Sequence, residues 1–244
     1  MKHTEDKLHG NSHSYFNRIQ DYLGEFVYGG IDGSVTTFAV VAGAAGANLD
    51  SSVVIILGFA NLIADGFSMS VGSYLSNKSE LQTYEKHKKV EYWEVENMPE
   101  QEKEEVQKIY AQKGFEGDLL DKVVAVIIAN KDRWVDVMMK EELEMIPSAK
   151  SPLAMAAVTF FSFLLVGLIP MLVYVYDYIT EAQVTHPFFI ASLLTGFAFT
   201  GIGFLKSFVT QTSRWQGMLE TLFLGASAAV LAYFVGNILE KLFI

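Results

Sequence analysis

Five stretches of this chain are long and apolar enough to cross a lipid bilayer, and they limit its fold more than any other feature. A helix needs about 20 mostly apolar residues to span the hydrocarbon core. The stretches lie at about 26–48, 51–76, 152–176, 186–206 and 218–240. We therefore predict an all-α membrane protein with five transmembrane helices.

Charged residues are concentrated between positions 76 and 150. This segment holds 17 of the 28 acidic and 12 of the 18 basic residues, and the rest of the chain is charge-poor. The pattern predicts a polar insert, 77–150, between two spans at 26–76 and three spans at 151–244. A polar segment, 1–25, precedes the first span and lacks the apolar core of a signal peptide, so we expect the first span to direct insertion.

Overall composition excludes several classes of protein. The formal net charge of −10 gives no basic surface for nucleic acid. The chain has no cysteine, which excludes disulfides, thiolate metal ligands and a cysteine nucleophile. No HExxH, GxSxG or phosphate-binding glycine loop is present, so we do not predict an enzyme. His3, His9 and His13 could bind metal weakly, although a disordered polar tail is the simpler interpretation of that region.

The distribution of Lys and Arg predicts the orientation. The loop between the first two spans and the loop at 177–185 carry neither residue, whereas the insert carries many of them and the loop containing Lys206 and Arg214 carries both. Positive loops stay in the cytoplasm, so we place Arg18 and the insert there. Lys241 is a small objection, because this orientation puts the C-terminus on the far side.

Two acidic residues, Asp32 and Asp65, lie within the first two apolar stretches. A carboxylate at the bilayer centre costs about 2.5–3.5 kcal/mol on insertion scales, so it usually faces a cavity, an ion or a partner charge. Asn61, Asp65 and Met69 recur every four residues and share one helical face. Glu25 lies two turns before Asp32. These residues predict an ion pathway, with a buried polar helix–helix contact as the alternative.

The insert carries closely spaced glutamates and methionines. We predict three helices, the second after Pro99 and the third over about 118–144. Glutamates three apart share a helical face, and two methionines stand within about one turn of another glutamate. If they converge, the set could hold several divalent ions. A solvated charged face is the open alternative. The candidate ligands are Glu91, Glu94, Glu102, Glu105, Met138, Met139 and Glu142.

The runs DGSVTTFAVVAGAAGA at 32–47 and ILGFANLIADGFSMSVGSYLSNKSE at 56–80 closely resemble the vacuolar iron transporter family of divalent metal transporters. The resemblance covers essentially the whole chain. It implies a homodimer of five-span subunits, with a translocation path along the dimer interface. It also implies export of Fe²⁺, often Mn²⁺ or other divalent ions, from the cytosol in exchange for protons, with no prosthetic group.

The resemblance also implies roles for individual residues. Asp32 and Met69 match the positions that line the family's pore, and all seven candidate ligands match its cytoplasmic metal-binding domain. Ser73 departs from the glutamate that many relatives carry there, which leaves ion handling at the pore mouth open. The membrane would be the plasma membrane in a prokaryote and the vacuolar membrane in a eukaryote. The competing hypothesis is a membrane-anchored iron buffer or sensor that does not transport.

Overall fold

The computed structural model describes residues 21–243, so most of the predicted segment 1–25, including His3, His9, His13 and Arg18, lies outside the described residues. All regular structure in the described part is helical. The helices, in chain order, are α1 Leu23–Gly46, α2 Ser51–Asn97, α3 Pro99–Gln112, α4 Gly117–Ile128, α5 Lys131–Glu141, α6 Pro152–Gly167, α7 Leu172–Thr180, α8 Pro187–Thr210 and α9 Arg214–Phe243.

Five described helices are long and apolar enough to cross a membrane. They are Leu23–Gly46, Ser51–Asn97, Pro152–Thr180, Pro187–Thr210 and Arg214–Phe243. Each overlaps one of the apolar stretches predicted above over most of its length. The third consists of α6 and α7 joined through a short 3₁₀ turn, Ile169–Met171, where Pro170 cannot continue regular α-helical hydrogen bonding. The all-helical class and the membrane-type helices are therefore as predicted.

The chain divides into two compact units. One comprises the residues up to Tyr74 together with those from Pro152 onward, and the other comprises Leu75–Ser151. The first unit has a core of α1, α2, α6, α8 and α9 side chains, including Val41, Leu62 and Phe163, each at most 2% exposed. Large apolar side chains such as Phe197 and Phe223 are exposed on its surface, as expected for helices that face lipid or a partner.

The second unit has its own hydrophobic core. Val106 of α3, Val124 of α4 and Val135 of α5 pack there with the aromatic ring of Trp134. The apolar run 123–128 supplies two of the buried residues, Val124 and Ile127, and thus forms the packed face of a helix.

The prediction of one helix over about 118–144 is wrong, and with it the prediction of a three-helix insert. The helix is interrupted between α4 and α5, so the unit consists of the end of α2 and three further helices. Asn130 adopts an extended backbone, and its side-chain oxygen accepts the amide of Arg133 at 2.9 Å. The Arg133 side chain donates to the carbonyls of Val126 and Ile127 at the end of α4. These side-chain bonds satisfy helix-terminal backbone groups and stabilise the break.

Candidate metal-binding sites

The first candidate site combines acidic residues of α1 and α2. Asp32 on α1 and Asp65 on α2 are both half-buried, and their carboxylates are close enough to interact electrostatically. Phe163 of α6 lies between the two helices: Gly33 approaches its backbone and Gly66 approaches its ring. Each glycine directly follows one of the aspartates, and its missing side chain permits the close packing of that helix against Phe163.

Two further predicted residues flank Asp65 on α2. Asn61 and Met69 are half-buried, one turn before and one turn after Asp65. The amide nitrogen of Asn61 is buried and has no hydrogen-bond partner within the described part of the chain. Met69 packs against the hydrophobic core. This face of α2 therefore offers an amide, a carboxylate and a thioether in sequence.

Glu25 lies further along α1. It is half-buried and seven residues before Asp32, a separation of about 10 Å along the helix axis at 1.5 Å per residue. The structure therefore places Glu25 on the same helix but about two turns from the aspartate pair.

The second candidate site is a group of three glutamates in Leu75–Ser151. Glu91 of α2, Glu102 of α3 and Glu142, directly after α5, each place one carboxylate oxygen within 4.8 Å of the others. Glu91 and Glu102 are each only 4% exposed. One oxygen of each has no hydrogen-bond partner among the described residues. Buried carboxylates without partners are costly, and a shared cation would satisfy Glu91 and Glu102, with the exposed Glu142 as a third ligand.

The environment of these glutamates makes their ionisation difficult. Burial, and then repulsion by neighbouring glutamates, raises the pKa of Glu91 to about 7. The same causes raise the pKa of Glu102 to about 7 and raise the pKa of Glu142 above its usual range. A divalent cation would reverse this effect, because it favours the charged form of each carboxylate.

Glu94 and Glu105 surround the three-glutamate group. Each lies three residues after a member of the group, is half-buried, and is close enough to contribute to the raised pKa values of Glu91 and Glu102. Met138 and Met139 are at most 1% exposed and belong to the hydrophobic core of the same unit, within one turn of Glu142. The structure thus brings three of the seven candidate ligands together at contact range and arranges the other four in the same unit.

The donor atoms suit a transition metal. Oxygens 4.8 Å or less apart can share one cation, since metal–oxygen distances run from about 2.0 to 2.6 Å. Carboxylate oxygens suit Mn²⁺ and Fe²⁺ as well as Mg²⁺ and Ca²⁺, and an additional thioether ligand would favour the borderline ion Fe²⁺.

Comparison with known proteins matches this chain to one family and to relatives that share one name. The model of the VIT family matches residues 23–237. A vacuolar iron transporter of Toxoplasma gondii is 35% identical over 95% of this chain and 78% of its own length. A vacuolar iron transporter of Plasmodium falciparum is 32% identical over 98% of this chain and 88% of its own. The vacuolar iron transporter 1 of Arabidopsis thaliana is 33% identical over 88% and 85%.

Proposed function

The chain belongs to the VIT family, whose members are transporters and not enzymes, and on this premise we propose that it exports a divalent transition metal from the cytosol. The substrate would be Fe²⁺, with Mn²⁺ as a second candidate. Iron is the metal in the names of the relatives, and the donor set described above suits both ions. The protein would be an integral membrane homodimer with Leu75–Ser151 in the cytoplasm.

The observation that carries this proposal is the pair of acidic residues on neighbouring membrane-type helices. Asp32 and Asp65 are half-buried and close enough to repel each other. A merely anchoring helix pair gains nothing from two such carboxylates, whose burial in a bilayer is unfavourable. A cation passing between them would neutralise both. Asn61 and Met69, one turn to either side, would give it further places to bind.

The three-glutamate group would act before this step. Glu91, Glu102 and Glu142 would collect the ion in the cytosol before it enters the pathway. Carboxylates bind metal when ionised and can bind a proton instead, so metal and proton compete for the same oxygens. This competition is the physical basis on which we propose proton antiport.

The path would lie between two subunits. The face of α2 around Asp65 includes exposed positions such as Ala64 and Ser68, so the described chain alone does not enclose the aspartate pair. A second copy placed against this face would complete the enclosure, and lipid would cover the remaining apolar surfaces.

Flux through proteoliposomes tests the proposal. Fe²⁺ uptake, driven by a pH gradient, is measured for the native protein and for Asp32→Asn. We expect the variant to lose at least tenfold in initial rate, because the neutral amide can neither balance the cation's charge nor exchange a proton. Asp50→Asn is the matched control, since Asp50 is exposed, precedes α2, and asparagine caps a helix as well as aspartate does.

The same experiment separates export from the buffer or sensor hypothesis. A buffer would bind Fe²⁺ through the glutamates but show no flux in native protein. Equal flux in Asp32→Asn and native protein would show that the pathway is elsewhere.

A further inference from the structure

A set of polar contacts ties α5 to the two helices that carry the buried glutamates. At the start of α5, the Tyr92 hydroxyl of α2 donates to Asp132 Oδ1 at 2.7 Å. Beside it, Lys131 forms an ion pair with Glu96 of α2 and lies 5.1 Å from the centroid of the Tyr92 ring. We call Tyr92, Glu96, Lys131 and Asp132 the α2–α5 clamp.

The other end of α5 is tied to α3. Lys113, directly after α3, forms an ion pair with Glu141, the last residue of α5. The three helices that are joined in this way are the ones that bring Glu91, Glu102 and Glu142 together. Glu91 is the immediate neighbour of Tyr92, and Glu142 is the immediate neighbour of Glu141.

These polar contacts are additional to the hydrophobic core that α5 shares with its neighbours. Trp134, Val135, Met138 and Met139 already bury one face of α5. Close packing on this face holds α5 in the unit, and the surface hydrogen bond and ion pair add directional contacts with narrow limits of distance and angle. Because Glu142 follows the last turn of α5, the position of this helix sets the distance from Glu142 to Glu91.

We propose that the α2–α5 clamp consists of positioning residues that hold Glu142 at metal-sharing distance from Glu91 and Glu102. None of the four side chains is offered as a ligand. The inference rests on the proposed metal-collecting role of the three glutamates and adds the residues that determine its affinity.

The test is Co²⁺ titration of the full-length protein, followed by the visible absorbance of the bound ion. All proteins in the comparison, including the reference, carry Asp32→Asn, which weakens the intramembrane site as a competing source of signal. Lys131→Glu places a carboxylate beside Glu96 and Asp132 and breaks the clamp. We expect the dissociation constant for Co²⁺ to rise about threefold to tenfold, with an altered spectrum.

The direction of this change distinguishes positioning from a general effect of charge. If only the electrostatic field mattered, the added negative charge of Lys131→Glu would tighten cation binding. Glu96→Lys should also weaken binding. The variant that combines Lys131→Glu with Glu96→Lys should bind within about twofold of the Asp32→Asn reference, because the ion pair is restored with its charges exchanged. Tyr92→Phe, which changes no charge, should weaken binding about threefold.

Lys140→Glu is the control, since Lys140 has the same type of charge but pairs with Asp136 within α5 itself. We expect Lys140→Glu to bind Co²⁺ no more weakly than the Asp32→Asn reference. Tighter or unchanged binding in Lys131→Glu would overturn the clamp while leaving the metal-collecting role intact. Unchanged binding in Glu91→Gln would overturn both, since the glutamates would then not hold the ion.

Discussion

At the scale of single residues, the glutamates of the second unit oppose folding when they are ionised. The pKa of Glu91 and that of Glu102 rise from 4.5 to about 7 in the folded protein. A raised pKa means that the folded state holds protons that the unfolded state has released. In metal-free protein, the contribution of these two groups to the free energy of unfolding should therefore be largest below about pH 4.5. It should be lost as the pH rises through 7.

The measurement is urea unfolding of metal-free protein between pH 4.5 and 8, followed by tryptophan fluorescence. All proteins carry Trp215→Phe, so that the signal comes from Trp93 and Trp134, both in the second unit. The double variant Glu91→Gln, Glu102→Gln should show a flatter dependence on pH, because its amides do not titrate. A native profile as flat as that of the double variant would contradict the pKa assignment.

The affinity for metal should depend on the buried carboxylate of Glu102 and not on that of its exposed neighbour Glu104. Glu102→Gln is expected to weaken binding of Mn²⁺ or Co²⁺ at pH 7.5 by about tenfold or more, since it removes both a ligand and a negative charge. Glu104→Gln, two residues away and exposed, removes the same charge but no member of the three-glutamate group. Calorimetric titration compares the two. Equal losses would indicate a diffuse electrostatic effect.

At the scale of helices, close packing of α1 against α6 depends on glycines that have no side chain, and Gly33 is one of them. A β-carbon at position 33 would lie 2.4 Å from the carbonyl oxygen of Phe163, which is backbone and cannot move aside cheaply. We expect Gly33→Ala to separate the helices and lower the melting temperature in detergent by several degrees.

Gly196→Ala is the matched control for that substitution. Position 196 lies within α8 with nothing within 4 Å of an added β-carbon. Alanine is a better helix former than glycine by about 1 kcal/mol, so this variant should be as stable as the native protein or more stable. A fall in melting temperature equal to that of Gly33→Ala would show that the detergent state does not retain this packing.

The helices were largely predictable from sequence, whereas the break between α4 and α5 was not. Apolar length and charge marked the membrane-type helices, and Pro99 marked the start of α3. The residues around Asn130 have no proline or glycine, and the break depends on side-chain hydrogen bonds from Asn130 and Arg133. Asparagine occurs within helices as well as at their ends, so its presence alone did not predict a new helix.

The candidate sites were predictable in composition but not in geometry. Spacing of three residues identified glutamate pairs that share a helical face, such as Glu91 with Glu94. It could not indicate that Glu91, Glu102 and Glu142 would be the three to converge, because that depends on where α5 folds back. The partners of the α2–α5 clamp are 35 and 40 residues apart in sequence, and no local pattern links them.

At the scale of the whole molecule, the proposed homodimer can be tested by disulfide cross-linking. The chain has no cysteine, so an introduced cysteine can pair only with the same residue of another copy. Ser68 is exposed on α2, one turn after Asp65, where the proposed pathway requires a second copy. Ser68→Cys should therefore form disulfide-linked dimers in native membranes under mild oxidation. Leu231→Cys is 68% exposed but belongs to α9, a different membrane-type helix, and it should remain largely monomeric on denaturing gels. Because both cysteines sit on membrane-type helices, random collision would link them equally. Equal linkage, or linkage of Leu231→Cys alone, would place the subunit interface elsewhere and separate Asp32 and Asp65 from it.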